Sequence, residues 1–330
     1  MRSKRRIGVL VMSYGTPESL DQIEAYYTHI RRGNPPSPEQ LAELTSRYEA
    51  IVGGVFPLRE HTNRQVSQLQ RLLNEDSEDA VYVCVQGLKH AYPFVADGVE
   101  TLKQAQVDEA VGIVLAPHYS RMSIGGYISQ AKAKAEELGL PIRFVESYHD
   151  NPHLIRALTE RVQTILKNWI TAGVPREQVR VLFSAHSLPA SILATGDPYP
   201  EQLLATSRLI AEAAEVPSWS FAWQSAGRTA VSWLGPDILE VLPQLKEEGV
   251  RYVLACPVGF VSDHLEVLYD LDIECKQAAD KLGLTFVRTE SLNTDPLYLQ
   301  TLQEEIERVL QKPKPESDVH PMAGRGSGRE

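Results

Sequence analysis

Three carboxylates at four-residue spacing stand near the end of this chain: Glu266, Asp270 and Glu274, within Val258-Gly-Phe-Val-Ser-Asp-His-Leu-Glu-Val-Leu-Tyr-Asp-Leu-Asp-Ile-Glu-Cys275. The segment follows a strand-like apolar run, Tyr252–Pro257, and reads as the start of a helix. On a helix, residues four apart share a face, so the three carboxylates form a ladder. Like charges at that spacing destabilise a helix by a few tenths of a kcal/mol per pair, unless a cation visits them. A solvated acidic face is the plain alternative. In an α/β pattern, however, ligands bind beyond the carboxyl ends of strands, and the ladder lies just there. It is read as a path for a metal ion.

The other strand-like runs end on residues that could join such chemistry: Tyr14, His90, His118, His186 and Gln224-Ser225. A lone histidine is usually structural, but three of the nine histidines sit at equivalent strand ends. His186, in Leu182-Phe-Ser-Ala-His-Ser-Leu-Pro189, marks the abrupt polar stop of an apolar strand. A neutral imidazole there could bind a metal or take a proton.

The elements that must position these groups repeat. Strand-like runs, each followed by a helical pattern, occupy Ile7–Ser13, Ala80–Val85, Gly112–Ala116 and Ile142–Glu146, then Arg180–Ser184, Ser220–Trp223, Tyr252–Pro257 and Thr285–Arg288. Arg143-Phe-Val-Glu-Ser-Tyr-His-Asp-Asn-Pro152 echoes Phe286-Val-Arg-Thr-Glu-Ser-Leu-Asn-Thr-Asp-Pro296, and a charged amphipathic helix follows each. Such units imply parallel sheets with right-handed crossovers. The predicted fold is α/β: two similar doubly wound, Rossmann-like domains of four central strands each, with a cleft between them. The expected division is 1–168 and 169–311, with the linker in Trp169–Glu177 and the last helix crossing back onto the first domain. About 65 residues separate the first two strands, far more than a crossover needs. This insertion, roughly 17–79, mixes aromatics, arginines and glycines and is predicted to cover the cleft as a lid. Residues 312–330, rich in Pro, Gly, Ser and charge, are predicted to be disordered.

Composition excludes several classes. With 330 residues, 43% hydrophobic and 23% charged, the chain is long enough for two globular domains. A net charge of −10 offers no basic field for nucleic acid. The basic N-terminus is followed by an apolar run too short for a signal peptide, and no run approaches the length of a transmembrane helix. A cytoplasmic location is expected. Cys84, Cys256 and Cys275 read as reduced core residues and could not supply the four thiolates of an iron–sulfur cluster.

Longer motifs carry a resemblance. Ser184-Ala-His-Ser-Leu-Pro189, Trp223-Gln-Ser225, Trp233-Leu-Gly-Pro236 and Pro257–Glu266 resemble those of ferrochelatases, which insert ferrous iron into a porphyrin. Tyr14-Gly-Thr-Pro17, Tyr26-Tyr-Thr-His-Ile-Arg-Arg-Gly33 and Arg47-Tyr-Glu-Ala50 resemble the branch of Gram-positive bacteria that metallates coproporphyrin III. The resemblance runs from about Ile7 to Gln311. It implies that His186 and Glu266 face the porphyrin from one side as catalytic groups and metal ligands. Asp270 and Glu274 would form an outer metal station, and Tyr14 would approach the product iron from the other face. Arg31, Arg47, Tyr48 and Tyr127 would hold propionates. One departure stands out: where that branch has a serine before Pro-Leu, this chain has Phe56, expected to pack on the macrocycle edge while a backbone N–H near Gly54 meets the propionate. Fe²⁺ is expected as substrate, with no tightly bound cofactor and no cluster. A monomer is expected, in transient contact with other enzymes of the haem pathway.

The chemistry fits these residues independently. Metallation removes two pyrrole protons and strips water from Fe²⁺, and a base with an exchangeable ligand on one face does both. Guanidinium groups in the insertion suit the four carboxylates of coproporphyrin. The alternatives are a protoporphyrin IX ferrochelatase, which would want an apolar lip where Gly33–Ala50 is polar and charged, a haem or metal carrier on the same scaffold, which needs no proton relay, and a cobalt or nickel chelatase, which would show paired histidine ligands.

Overall fold

The computed structural model describes residues 4–52, 56–227 and 229–313. Eight strands form two parallel four-stranded sheets. The first contains β1 (Arg5–Ser13), β2 (Ala80–Leu88), β3 (Glu109–Val114) and β4 (Ile142–Val145) in the order β2-β1-β3-β4. The second contains β5 (Val179–His186), β6 (Trp219–Gln224), β7 (Tyr252–Cys256) and β8 (Thr285–Arg288) in the order β6-β5-β7-β8. The two orders are the same, so the sequence echoes reflect a repeated topology: β1 corresponds to β5, and β3 to β7. The strands are near-continuous apolar runs because helices cover both faces.

The helices are α1 (Ile23–Ile30), α2 (Pro38–Val52), α3 (Pro57–Glu75), α4 (Val95–Gln104), α5 (Ile124–Leu138), α6 (Pro152–Thr171), α7 (Tyr199–Ala213), α8 (Ile238–Glu247), α9 (Leu265–Leu268), α10 (Lys276–Leu282) and α11 (Pro296–Gln311). The repeated Asn-Pro and Asp-Pro motifs are helix starts. The Asn151 side chain accepts from His153 N–H at 3.0 Å and that of Asp295 from Leu297 N–H at 2.8 Å, each before a proline at the first helical position.

One apolar cluster runs from β1 and β3 through α6 and α11 to β5 and β7, joining the two sheets. Tyr298, fully buried on α11, lies 6.5 Å ring to ring from Tyr148 at the end of the first sheet. Helix α11 packs on α3, α6, β3 and β4. The outer faces are closed by α4 and α5 on the first sheet and by α8 and α10 on the second. No described helix is long and apolar enough to cross a membrane.

Some sequence expectations shift. Within the expected insertion 17–79, α3 packs on β2 as an ordinary crossover helix does, while α1 and α2 pack on each other. Helix α6 extends to Thr171, into the stretch expected to be the linker. Residues 53–55, and the predicted disordered tail beyond Pro313, lie outside the described residues.

Candidate functional site

His186 ends β5, and the loop after β7 is pressed onto it. A Cβ at Gly259 would stand 2.5 Å from that of Ala185, so only glycine lets the chain pass so close. Beyond it, α9 presents Glu266, whose Oε1 lies 3.4 Å from His186 Nε2. Both side chains keep about a third of their surface open to the cleft, 32% and 31%. Their backbones are held together: Gln224 Nε2 donates to the Glu266 carbonyl at 2.8 Å, and Gln224 Oε1 accepts from the Ser184 hydroxyl at 2.8 Å.

Electrostatics follow from that geometry. Burial alone would discharge His186, but the Glu266 carboxylate and its hydrogen bond, with the Ser187 carbonyl at Nδ1, outweigh it and raise the imidazole to about 9. Glu266 is held well below the usual carboxylate range: burial opposes this, but His186 and then His264 outweigh it. The resting pair is therefore imidazolium and carboxylate.

His264 was not singled out in the sequence. Its Nδ1 donates to the Ser262 carbonyl at 2.8 Å, and its Nε2 lies 3.7 Å from Glu266 Oε2. Glu266 is thus flanked by two imidazoles. Its position two residues before Glu266 was the available signal. Among the described residues, no group of three or more His, Cys, Asp or Glu side chains is arranged to hold a metal.

The carboxylate ladder is not one helical stripe. The α-helical turn stops at Leu268, and Asp270–Cys275 form a π-helical turn, closed by Glu274 N–H on the Tyr269 carbonyl at 2.9 Å. Such turns are rare and frequent at functional sites, and they re-aim side chains relative to an α-helix. Asp270 is buried, while Glu274 is exposed. Asp270 accepts from the Ser225 hydroxyl and forms an ion pair with Arg47 of α2. Burial pushes its carboxyl up to about 6; Arg47 and Ser225 pull it down, and Glu266 and Glu274 push it further up.

Arg47, expected on a propionate, is therefore committed to Asp270, and its guanidinium lies 4.6 Å from the centre of the Tyr269 ring. Phe56, expected on the macrocycle edge, is 5% exposed and packs 5.2 Å from the Tyr48 ring in the small core of the insertion, with Ile23. Tyr48 is buried in that core, and its hydroxyl accepts from Thr16 at 3.4 Å.

Tyr14 follows β1 directly and is 44% exposed. Partial desolvation and then the Glu266 charge raise its phenol above the ordinary range, so Glu266 lies within electrostatic reach of it. The His90 ring stands 4.6 Å from that of Tyr14, and its Nδ1 is 3.0 Å from His29 Nδ1 on α1. Tyr127 is buried, and Lys89 lies 4.9 Å from its ring centre. Arg31 Nε donates to the Asn34 carbonyl at 3.2 Å. Among the described residues, Lys89, Arg31 and Arg32 form no ion pair with a carboxylate. Lys89 was missed in the sequence because a lysine after a strand has no local mark. Trp233, from a quoted motif but given no role, lies 6.4 Å from the His186 ring.

Comparison with known proteins agrees with this arrangement. The chain is 46% identical to the coproporphyrin III ferrochelatase of Geobacillus thermodenitrificans, over 96% of this chain and 99% of that one. It is 43% identical to coproporphyrin III ferrochelatase 2 of Bacillus cereus, over 94% and 96%. Among solved structures, SirB from Bacillus subtilis with Fe³⁺ superposes with a TM-score of 0.57 at 12% identity, covering 92% of this chain and 95% of that one. CbiX, described as the terminal enzyme of sirohaem biosynthesis in denitrifying bacteria, gives 0.52 at 15% identity over 91% and 98%. These two share the fold. The family model described as Ferrochelatase matches residues 6–310, nearly all that the structure describes, and with those relatives it places the chain in the ferrochelatase family.

Proposed function

We propose that the protein inserts ferrous iron into coproporphyrin III. The observation that carries the reading is the His186–Glu266 pair at 3.4 Å, with about a third of each side chain open. Fe²⁺ arriving at Glu266 would cancel the charge that keeps His186 protonated. With that charge gone, burial dominates: His186 releases its proton to water at its open side, and the neutral imidazole can then accept a pyrrole proton. A two-donor site of nitrogen and oxygen suits ferrous iron that must be released again. Asp270 and Glu274 would receive the ion first, and Tyr14 would meet the iron from the product side.

Coproporphyrin is favoured over protoporphyrin by the cations around the cleft. Lys89, Arg31 and Arg32 lack carboxylate partners among the described residues, and a substrate with four carboxylates supplies them. The relatives' names point the same way. Tyr127 would line the same propionate subsite. We place the division between the domains close to 168/169, at the end of α6, and take the protein to act as a monomer in the cytoplasm, without a resident cofactor and in transient contact with other haem-pathway enzymes. Three buried, unpaired cysteines fit a reducing compartment.

The test is anaerobic incubation with Fe²⁺ and coproporphyrin III or protoporphyrin IX, followed by absorption. Metalloporphyrin bands should grow over many turnovers with coproporphyrin and more slowly with protoporphyrin. Stoichiometric binding without turnover would indicate a carrier instead.

A further inference from the structure

Helix α7 joins the carboxyl ends of the two sheets through side chains that the site leaves unused. Tyr199, at its first position, is buried, and its hydroxyl donates to the main-chain carbonyl of His186 at 3.1 Å. Just before it, Asp197 is 6% exposed. One of its carboxylate oxygens accepts from Tyr199 N–H at 3.1 Å, the other from the Ser120 hydroxyl at 3.0 Å and Arg121 N–H at 2.8 Å. Further along, Gln202 Oε1 accepts from Tyr119 N–H at 2.7 Å and from the Ser147 hydroxyl at 3.0 Å. One turn later the Thr206 hydroxyl donates to the His149 carbonyl at 2.7 Å.

Residues 119–121 follow β3, and residues 147–149 follow β4. One face of α7 is thus bonded to the first sheet's strand ends, while its first residue holds the strand end that carries His186. Apolar contacts would fill the same interface, but they slide. Buried, fully partnered hydrogen bonds are directional and costly to break, so they fix a distance.

We propose that Tyr199, backed by Asp197 and Gln202, is a positioning residue for metal insertion. It fixes where the end of β5 holds His186 relative to the first sheet. The proposal rests on the chelatase reading of the cleft. Displacing a reacting group by less than an ångström lowers rate while leaving ground-state binding intact.

Tyr199→Phe removes one oxygen and leaves the ring against Trp223, 5.9 Å away. It should lower kcat for iron insertion about tenfold, with porphyrin affinity by fluorescence quenching and the melting temperature near wild type. Gln202→Leu should show the same split, while Gln202→Glu, which keeps an acceptor for both donors, should restore most of the rate. Wild-type kcat in both Tyr199→Phe and Gln202→Leu overturns the proposal. So does a loss of rate matched by equal losses of affinity and melting temperature in both, since that is a purely structural effect. A wild-type protein that metallates no porphyrin removes the chelatase reading and the proposal with it, an outcome separate from active variants.

Discussion

The two sheets have one topology and opposite chemistry. β1 and β5 are corresponding strands; one leads into Tyr14, and the other ends on His186. The chain after β3 buries His118, at 2% exposed, against the Thr206 hydroxyl at 2.9 Å. The chain after β7 instead brings His264 and Glu266 up to His186. Burial, with His149 adding to it, lowers His118 to about 3, while Glu266 raises His186 to about 9. One scaffold thus holds a neutral imidazole as a strut and a charged one as a candidate reactive group. What separates them is chiefly the Glu266 carboxylate beside His186, not the strand that presents them.

The comparison breaks first at that carboxylate. His186→Ala and Glu266→Gln should each lower iron insertion by roughly 10²-fold or more, the usual worth of a positioned acid–base group, with porphyrin still bound. Anaerobic absorption assays read the rate and fluorescence quenching the binding; near-normal turnover in either variant would remove that residue from the mechanism. In Glu266→Gln, burial of His186 is no longer opposed by charge. Its imidazole should titrate well below about 9 by NMR, moving toward the behaviour of His118.

His118 makes a slower, structural prediction. Its folded pKa lies below the unfolded value near 6.5, so the unfolded chain binds the extra proton. Its contribution to stability is full above pH 6.5 and is lost as pH falls toward about 3, with a total on the order of a few kcal/mol. Urea unfolding should show stability dropping through that window, and His118→Asn should flatten the drop. An equal drop in the variant would place the acid sensitivity elsewhere.

Phe56→Ser tests the small core of the insertion. Removing a buried ring should cost about 3 kcal/mol locally, which limited proteolysis of α1 and α2 or a lowered melting temperature would report. Tighter coproporphyrin binding by this variant, with unchanged stability, would show that the ring stands where a propionate contact belongs.

The smallest effects concern charge near the cleft. Arg31→Ala should raise the KM for coproporphyrin more than it lowers kcat, because the contact is shared by ground and transition states. Arg47→Ala should behave differently. With its partner gone, Asp270 should titrate above about 6, and the variant should change the KM for iron rather than for porphyrin. The same porphyrin-side signature in both would mean that Arg47 leaves Asp270 when substrate arrives.

Much of this was legible in local sequence. Strand periodicity, the Asn-Pro and Asp-Pro helix starts and the repeated order of units are short-range signals, and they gave the two-sheet α/β fold. The polar stop of an apolar strand marked His186, and the position of Glu266 after β7 marked its partner's neighbourhood. Long-range pairings had no such mark. Arg47, expected on a propionate, meets Asp270 across 223 residues, a pairing that no local pattern announces. The π-helical turn at Asp270–Cys275 looks like an ordinary helix in sequence, because its distinction lies in which carbonyl each N–H finds. The burial of Phe56 and the ties of α7 likewise depend on what neighbouring elements leave open. Local patterns decide which residues point inward; only the packed chain decides which charges and hydroxyls meet there, because those free energies depend on distance and on how much water the packing leaves between them.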